Sequence, residues 1–288
     1  MSSRIVKEEG SSESWDNIWE DFDDKNQTHR VLFTTEEPQT IYQLWQRAYF
    51  EDLWHLIKDR NYSKFLELGS GRGTTSLYLA DSGVEDITLV DLSKHAFKIA
   101  EDEFRRRRFK VPKMVMADVE QTNLPGATYD CIYNIGLLEH FNDPFPTLQE
   151  SFRLLRQGGM IFMPIIPALP YTNGTLQRLL FNPLGHIKLA LYNTLRPDHK
   201  QSADSNMIRT TTNKSDYLEM VHRAGFTNVS CLPYNPYWKV NRDGAFERNV
   251  TLKAYKRHLA NRRKKERYPL LETSDRYESA YLLIGHKE

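Results

Sequence analysis

The chain has very little cysteine. Two cysteines, Cys131 and Cys231, occur among 288 residues, and both fall in apolar, strand-like runs. Two isolated thiols exclude a disulfide scaffold, and no Cys/His cluster has zinc spacing. They read as buried free thiols in a reducing compartment. An excess of either charge is also missing. The 39 basic and 38 acidic residues leave a formal net charge of +1, so global charge gives no reason to expect nucleic acid or another polyanion. No apolar run follows basic residues near the start, and no stretch reaches the roughly eighteen apolar residues of a membrane span. A cytoplasmic protein without a membrane span is the expectation, with peripheral membrane contact left open. Internal repeats are absent. So are paired carboxylates at magnesium spacing, and the expected metal set is none.

What is present starts at Phe65-Leu66-Glu67-Leu68-Gly69-Ser70-Gly71-Arg72-Gly73-Thr74-Thr75-Ser76. A short apolar strand runs into a glycine-rich turn, and a helix starts at once. This arrangement aims backbone N–H groups and a helix N-terminus at a ligand. A second strand, Ile87-Thr88-Leu89-Val90, ends in Asp91 about twenty residues later, the spacing at which an acid reaches ribose hydroxyls in nucleotide-binding α/β folds.

Apolar strands then alternate with helices. Strands are expected at 65–68, 87–90, 113–117, 129–135 and 159–166. Helices are expected at about 74–82, 94–108 and 144–157, the last stopped by Gly158-Gly159. Such alternation implies a parallel sheet covered on both faces. Residues 1–13 read as a polar tail, and 14–60 as an N-terminal helical cap containing Trp15, Trp19 and a helix opened by Pro38. The stretch 61–288 reads as the main domain, with insertions at about 167–210 and 233–275. A helix at 214–224 and strands at 226–232 and 280–285 would add an antiparallel edge. The second insertion carries a basic helix at 251–267.

The chain resembles the class I S-adenosylmethionine-dependent methyltransferases of the small-molecule type. Four segments carry the resemblance in the family's order, over roughly residues 60–166. They are Glu67-Leu68-Gly69-Ser70-Gly71-Arg72-Gly73, Leu89-Val90-Asp91-Leu92-Ser93, Met116-Ala117-Asp118-Val119-Glu120, and Tyr129 to Phe141 followed by Leu154-Leu155-Arg156-Gln157-Gly158-Gly159-Met160. The competing dinucleotide fingerprint, Gly-x-Gly-x-x-Gly, fits less well, because Thr74 stands where its last glycine belongs. The resemblance implies a Rossmann-like sheet of seven mostly parallel strands, with S-adenosyl-L-methionine as cofactor. It implies that Glu67, Gly69, Ser70, Gly71 and Gly73 approach the methionine part of the cofactor, and that Asp91 accepts from the ribose hydroxyls. Leu92 would pack on adenine or ribose, Asp118 and Val119 would read the adenine edge, and Asn134 would sit near the reactive methyl.

The acceptor site is less well marked. His140 is the candidate base or substrate-orienting group, with a structural role as the other reading. Trp15, Trp19, Tyr171, Tyr234, Tyr237 and Trp238 are candidate wall residues for an aromatic or lipid-like acceptor, and packing of the later aromatics against the insertions is the other reading. No Asn-Pro-Pro-Tyr/Phe follows the fourth strand, which disfavours methylation of bases or glutamine. The expected function is methyl transfer to an oxygen or nitrogen of a small molecule. The alternatives are an RNA methyltransferase that uses the basic helix, or a catalytically silent cofactor-binding scaffold. Oligomeric state is left open.

Overall fold

The computed structural model describes residues 15–16, 32–167, 209–236, 245–275 and 278–288, with the backbone alone at 236 and 245–251. Helix α1 spans Ile41–Ile57. It starts at Thr40, not at Pro38. The Thr40 hydroxyl accepts from the Gln43 N–H at 3.2 Å, and the Gln43 side chain accepts from the Thr40 N–H at 3.2 Å. This reciprocal pair satisfies two donors that a helix start leaves open.

The alternation follows: β1 (Lys64–Leu68), α2 (Thr74–Asp81), β2 (Asp86–Asp91), α3 (Lys94–Arg106), β3 (Lys113–Met116), β4 (Tyr129–Tyr133), α4 (Phe145–Leu154) and β5 (Leu155–Ile165). Further along the chain come α5 (Lys214–Arg223), β6 (Thr227–Pro236), α6 (Ala245–Lys264) and β7 (Glu278–His286). The seven strands lie in the order β3-β2-β1-β4-β5-β7-β6. All pairs from β3 to β5 are parallel, and β7 runs antiparallel to both β5 and β6. This is the expected Rossmann-like architecture. The carboxyl ends of β1, β2 and β4 therefore share one edge, where an open α/β sheet binds its ligand.

Successive strand residues point to opposite faces, and the core divides accordingly. Phe65, Cys131 and Phe162 pack on one face with α1, α2, α3 and α6. Leu66, Ile132 and Ile161 pack on the other with α4 and α5. Helix α1 is thus part of the sheet's covering layer. Leu44, Ala48, Leu53 and Ile57 form its buried stripe, and Trp45 meets the Tyr255 ring edge-on at 5.7 Å.

Gly158-Gly159 corrects one expectation. It does not stop a helix but lies inside β5, where the register against β4 shifts between Tyr129 and Cys131. The Gly158 N–H donates to the Lys287 carbonyl at 2.7 Å, and the Lys287 N–H to the Gly159 carbonyl at 2.9 Å. The bulge's free groups are taken up by the end of β7. The basic helix α6 also starts earlier than expected. Lys256 pairs with Glu37, Arg262 with Glu272, and Arg263 with Glu51 by two contacts of 2.7 and 2.9 Å. Beneath these pairs, Asp52 of α1 accepts from the Tyr234 hydroxyl at 2.6 Å and from the Leu271 N–H at 3.3 Å, and it also accepts from the Leu270 N–H.

Candidate active site

Gly69, Gly71 and Gly73 take φ of 59°, 50° and 63°. These left-handed values cost other residues energy, and they turn successive N–H groups toward the sheet edge. A Cβ on Gly69 would come within 2.6 Å of the Leu137 side chain, so the loop after β4 closes tightly over the glycine turn. Asp91 is fixed at its rim. One carboxylate oxygen accepts from the Gly71 N–H at 2.7 Å and the other from the Ser93 N–H at 2.9 Å. Burial raises the Asp91 carboxyl above its ordinary range, against the pull of these N–H donors. Leu92 beside it is half-buried.

Glu67 stands on β1, two residues before Gly69. It is buried on the α2 side and accepts from the Ser76 hydroxyl, which also meets the Tyr133 hydroxyl at 2.6 Å. Burial pushes its carboxyl up to about 8. Its carboxylate thus ties β1 to α2 and β4, where the resemblance implied a contact with the cofactor. Asp118 is folded onto its own turn. One of its oxygens accepts from the Glu120 N–H at 3.1 Å, while its carbonyl accepts from Gln121. Val119 is buried beside it.

The chain after β4 forms the floor of the site. Asn134 is fully buried, and neither its amide nitrogen nor its amide oxygen has a partner. Gly136 follows with φ of 73°, then a single 3-10 turn, Leu138–His140. His140 is half-buried, and the Trp15 ring stands edge-on to it at 5.5 Å. Trp15 thus packs against the turn after β4. Its neighbour Asp16, which the sequence did not single out, accepts from the Ser93 hydroxyl and from the His95 N–H at 3.1 Å. Burial works against Asp16, but the Ser93 hydroxyl and the charge and N–H of His95 hold its carboxyl low. Ser93 also caps α3 by accepting from Ala96 at 3.0 Å. Asp16 therefore joins the start of α3, and Trp15 the turn after β4.

Tyr234 requires a correction. It is fully buried, its hydroxyl is committed to Asp52, and its ring lies against Tyr49 at 5.8 Å. Position at a strand end suggested a pocket wall; burial beneath α1 makes Tyr234 a core residue. Trp19, Tyr171, Tyr237 and Trp238 lie outside the described residues. Sequence reasoning missed two buried polar side chains beside the site, Thr75 at the start of α2 and Glu139, each with an unpartnered oxygen. Leu-Glu-His drew notice to the histidine, and only three-dimensional burial marks the glutamate. No group of three potential metal ligands occurs among the described residues, and none of their helices is long and apolar enough to cross a membrane.

A parallel sheet with an antiparallel β7, a three-glycine turn after β1 and an acid ending β2 make up a Rossmann-like fold of the kind found in methyltransferases. Residues 66–163, about a third of the chain, match the family model described as a methyltransferase domain. It is 24% identical over 178 residues to the chloroplastic 2-methyl-6-phytyl-1,4-hydroquinone methyltransferase 2 of Oryza sativa subsp. japonica, covering 61% of this chain and 42% of that protein. It is 30% identical over 123 residues to the malonyl-[acyl-carrier protein] O-methyltransferase of Enterobacter lignolyticus, covering 43% and 47%. The chain thus spans less than half the length of these two relatives. The ubiquinone biosynthesis O-methyltransferase of Vibrio parahaemolyticus is 23% identical, covering 62% of this chain and 72% of that one. Among solved structures, the [4+2]-cyclase SpnF aligns over 96% of this chain and 97% of its own with a TM-score of 0.60 at 15% identity. That likeness concerns the fold, and the neighbour's title names a cyclase.

The cofactor of the family, S-adenosylmethionine, fits the residues present. Ser70, Thr75 and Asn134 supply buried polar atoms without partners around the glycine turn, and Asp91 supplies a carboxylate at its rim.

Proposed function

We propose that this chain transfers the methyl group of S-adenosylmethionine to an oxygen or nitrogen of a small organic acceptor. The observation that carries the reading is Asn134, fully buried with both amide atoms unpartnered at the carboxyl end of β4. A buried amide without partners is costly and calls for a ligand or ordered water. It stands at the edge shared by the glycine turn and Asp91. The cofactor, when bound, supplies an activated methyl on a sulfonium. The chain's part is positioning, which supplies much of the rate in such transfers. The glycine turn lets backbone approach the ligand. Asp91 keeps lone pairs for hydroxyl donors, and Leu137 and Trp15 cover the centre. His140 is within reach of this edge and is the candidate proton acceptor.

Oxygen is the favoured acceptor atom, since two of the relatives are named O-methyltransferases. The RNA reading weakens, because Lys256, Arg262 and Arg263 of the basic helix already pair with acids. A second reading, a cofactor-holding protein with other chemistry, draws on the cyclase neighbour, since fold does not dictate reaction. The test is calorimetry with S-adenosylhomocysteine, followed by mass spectrometry of phenolic, carboxylate and amine acceptors incubated with S-adenosylmethionine. Binding plus a mass gain of one methylene on an acceptor supports the proposal. Binding without any methylated acceptor supports the second reading, and no binding removes both.

A further inference from the structure

We infer that Glu139 is an acceptor-binding residue, selecting a molecule that donates a hydrogen bond to it and rejecting one that presents a bare carboxylate. The inference rests on the methyltransferase reading and specifies its acceptor. Glu139 is 1% exposed, yet its Oε2 has no hydrogen-bond partner. A carboxylate buried in that state is costly unless something pairs with it. Its place is specific. The other oxygen, Oε1, lies 3.1 Å from where a Gly136 Cβ would stand, with the Ile166 side chain on the same spot. Glu139 therefore faces the loop directly after Asn134, on the edge that the cofactor site occupies. Asn134, with both amide atoms unpartnered, and Glu139, with its Oε2 unpartnered, thus stand on either side of Gly136 in the chain.

The surroundings define the chemistry. Burial raises the Tyr49 hydroxyl far above its ordinary range, Tyr255 adds to the shift, and so does the Glu139 charge. The Tyr217 hydroxyl is raised by burial and by the same glutamate. Tyr49 on α1 and Tyr217 on α5 are thus both within range of the Glu139 charge. Arg209 acts on Tyr49 in the opposite sense. The Thr210 N–H donates to the Glu139 carbonyl at 2.8 Å. The segment starting at Arg209 therefore packs on the turn, and it borders an open pocket of about 630 Å³. A hydroxyl or amine donor would pair with the open Oε2 of Glu139. A carboxylate brought against Glu139 would meet like charge at low dielectric.

The test uses the full chain saturated with S-adenosylhomocysteine, and titrates reduced hydroquinone and benzoate as matched probes. Binding of S-adenosylhomocysteine is measured first, so that failure of the methyltransferase reading shows separately from failure of this one. The wild type should bind hydroquinone and exclude benzoate. Glu139→Gln should weaken hydroquinone about fivefold and Glu139→Ala about tenfold or more, as expected for a lost charge-assisted hydrogen bond. Glu139→Gln should also gain measurable benzoate affinity, a reversal that a purely structural role would not produce. Its melting temperature should not fall, since a buried carboxylate without a partner is replaced by a neutral amide. The inference is overturned by equal hydroquinone affinity in wild type and variants, by no hydroquinone binding to the wild type, or by benzoate binding to the wild type. A Glu139→Gln protein that melts earlier and loses S-adenosylhomocysteine overturns it as well, by assigning the carboxylate a structural role.

Discussion

A carboxylate in the middle of an amphipathic helix normally faces water, and Asp52 does not. Burial lifts its carboxyl from the ordinary 3.8 to about 7, even though Leu270, Tyr234 and Leu271 all donate to it. The folded protein therefore holds a proton that the unfolded chain releases. This contribution to stability is fully present below pH 3.8 and is lost as pH rises through about 7. In urea titrations, Asp52→Asn should flatten the fall in stability across that window relative to the wild type. Tyr234→Phe removes one donor from the same carboxylate and should cost about 1–3 kcal/mol by the same measurement. At the site, Asp91→Ala should weaken S-adenosylhomocysteine by about tenfold or more in calorimetry, more than Asp118→Asn does. Asp91 stands at the rim of the glycine turn and the alanine removes both of its acceptor oxygens, whereas Asp118→Asn keeps one acceptor oxygen. Equal small losses would show that Asp91 does not face the ribose. The glycines and Asp91 could be read from sequence because a strand, a turn and a helix follow one another without interruption. Glu139 and Tyr234 could not. Residue type fixes what a side chain can bond, but burial by distant elements decides whether the bond is made.

Between elements, the basic character of α6 separates into two sets. Arg262 and Arg263 are ion-paired to Glu272 and Glu51, whereas Lys253, Arg257 and Lys264 share a face by helical spacing. Neutralising those last three to Gln should change stability by less than about 0.5 kcal/mol in thermal melts. It should also leave methyl transfer unaltered. Arg263→Ala breaks the two-contact pair with Glu51 and should cost about 0.2–1 kcal/mol, less in high salt. RNA binding with a steep salt dependence, abolished by the triple neutralisation, would revive the polyanion reading. Most strands were legible as apolar runs, because parallel strands are buried on both faces. The Gly158-Gly159 bulge was not, since adjacent glycines after a helical pattern read equally as a helix stop. Its stabilising partner, Lys287, lies far away in sequence. Helix α1 showed its apolar stripe, but a stripe identifies a buried face and not the element that buries it. The Asp52 contacts with 270–271 settle that question.

For the molecule as a whole, ligand binding should register as stability. S-adenosylhomocysteine at a hundred times its dissociation constant should add about 2.7 kcal/mol, read as a rise of several degrees in melting temperature. An unchanged melt at saturating ligand would contradict a single site on the folded state. The overall architecture was readable because parallel strands follow one another along the chain from β1 to β5, each reached by a crossover. The order breaks at β7, which lies between β5 and β6 yet follows both in the chain. That break also affects synthesis. A nascent chain that has made β5 and β6 carries two strand edges facing a gap, each able to pair with another molecule. Neither can be satisfied until β7 emerges, after α6 and its connections. Closure of the sheet is thus a late, non-local event, of the kind that folds slowly and aggregates readily. In a cell-free translation reaction, chains stalled before Glu278 should be captured by chaperones or sediment, and those released with β7 should become protease-resistant.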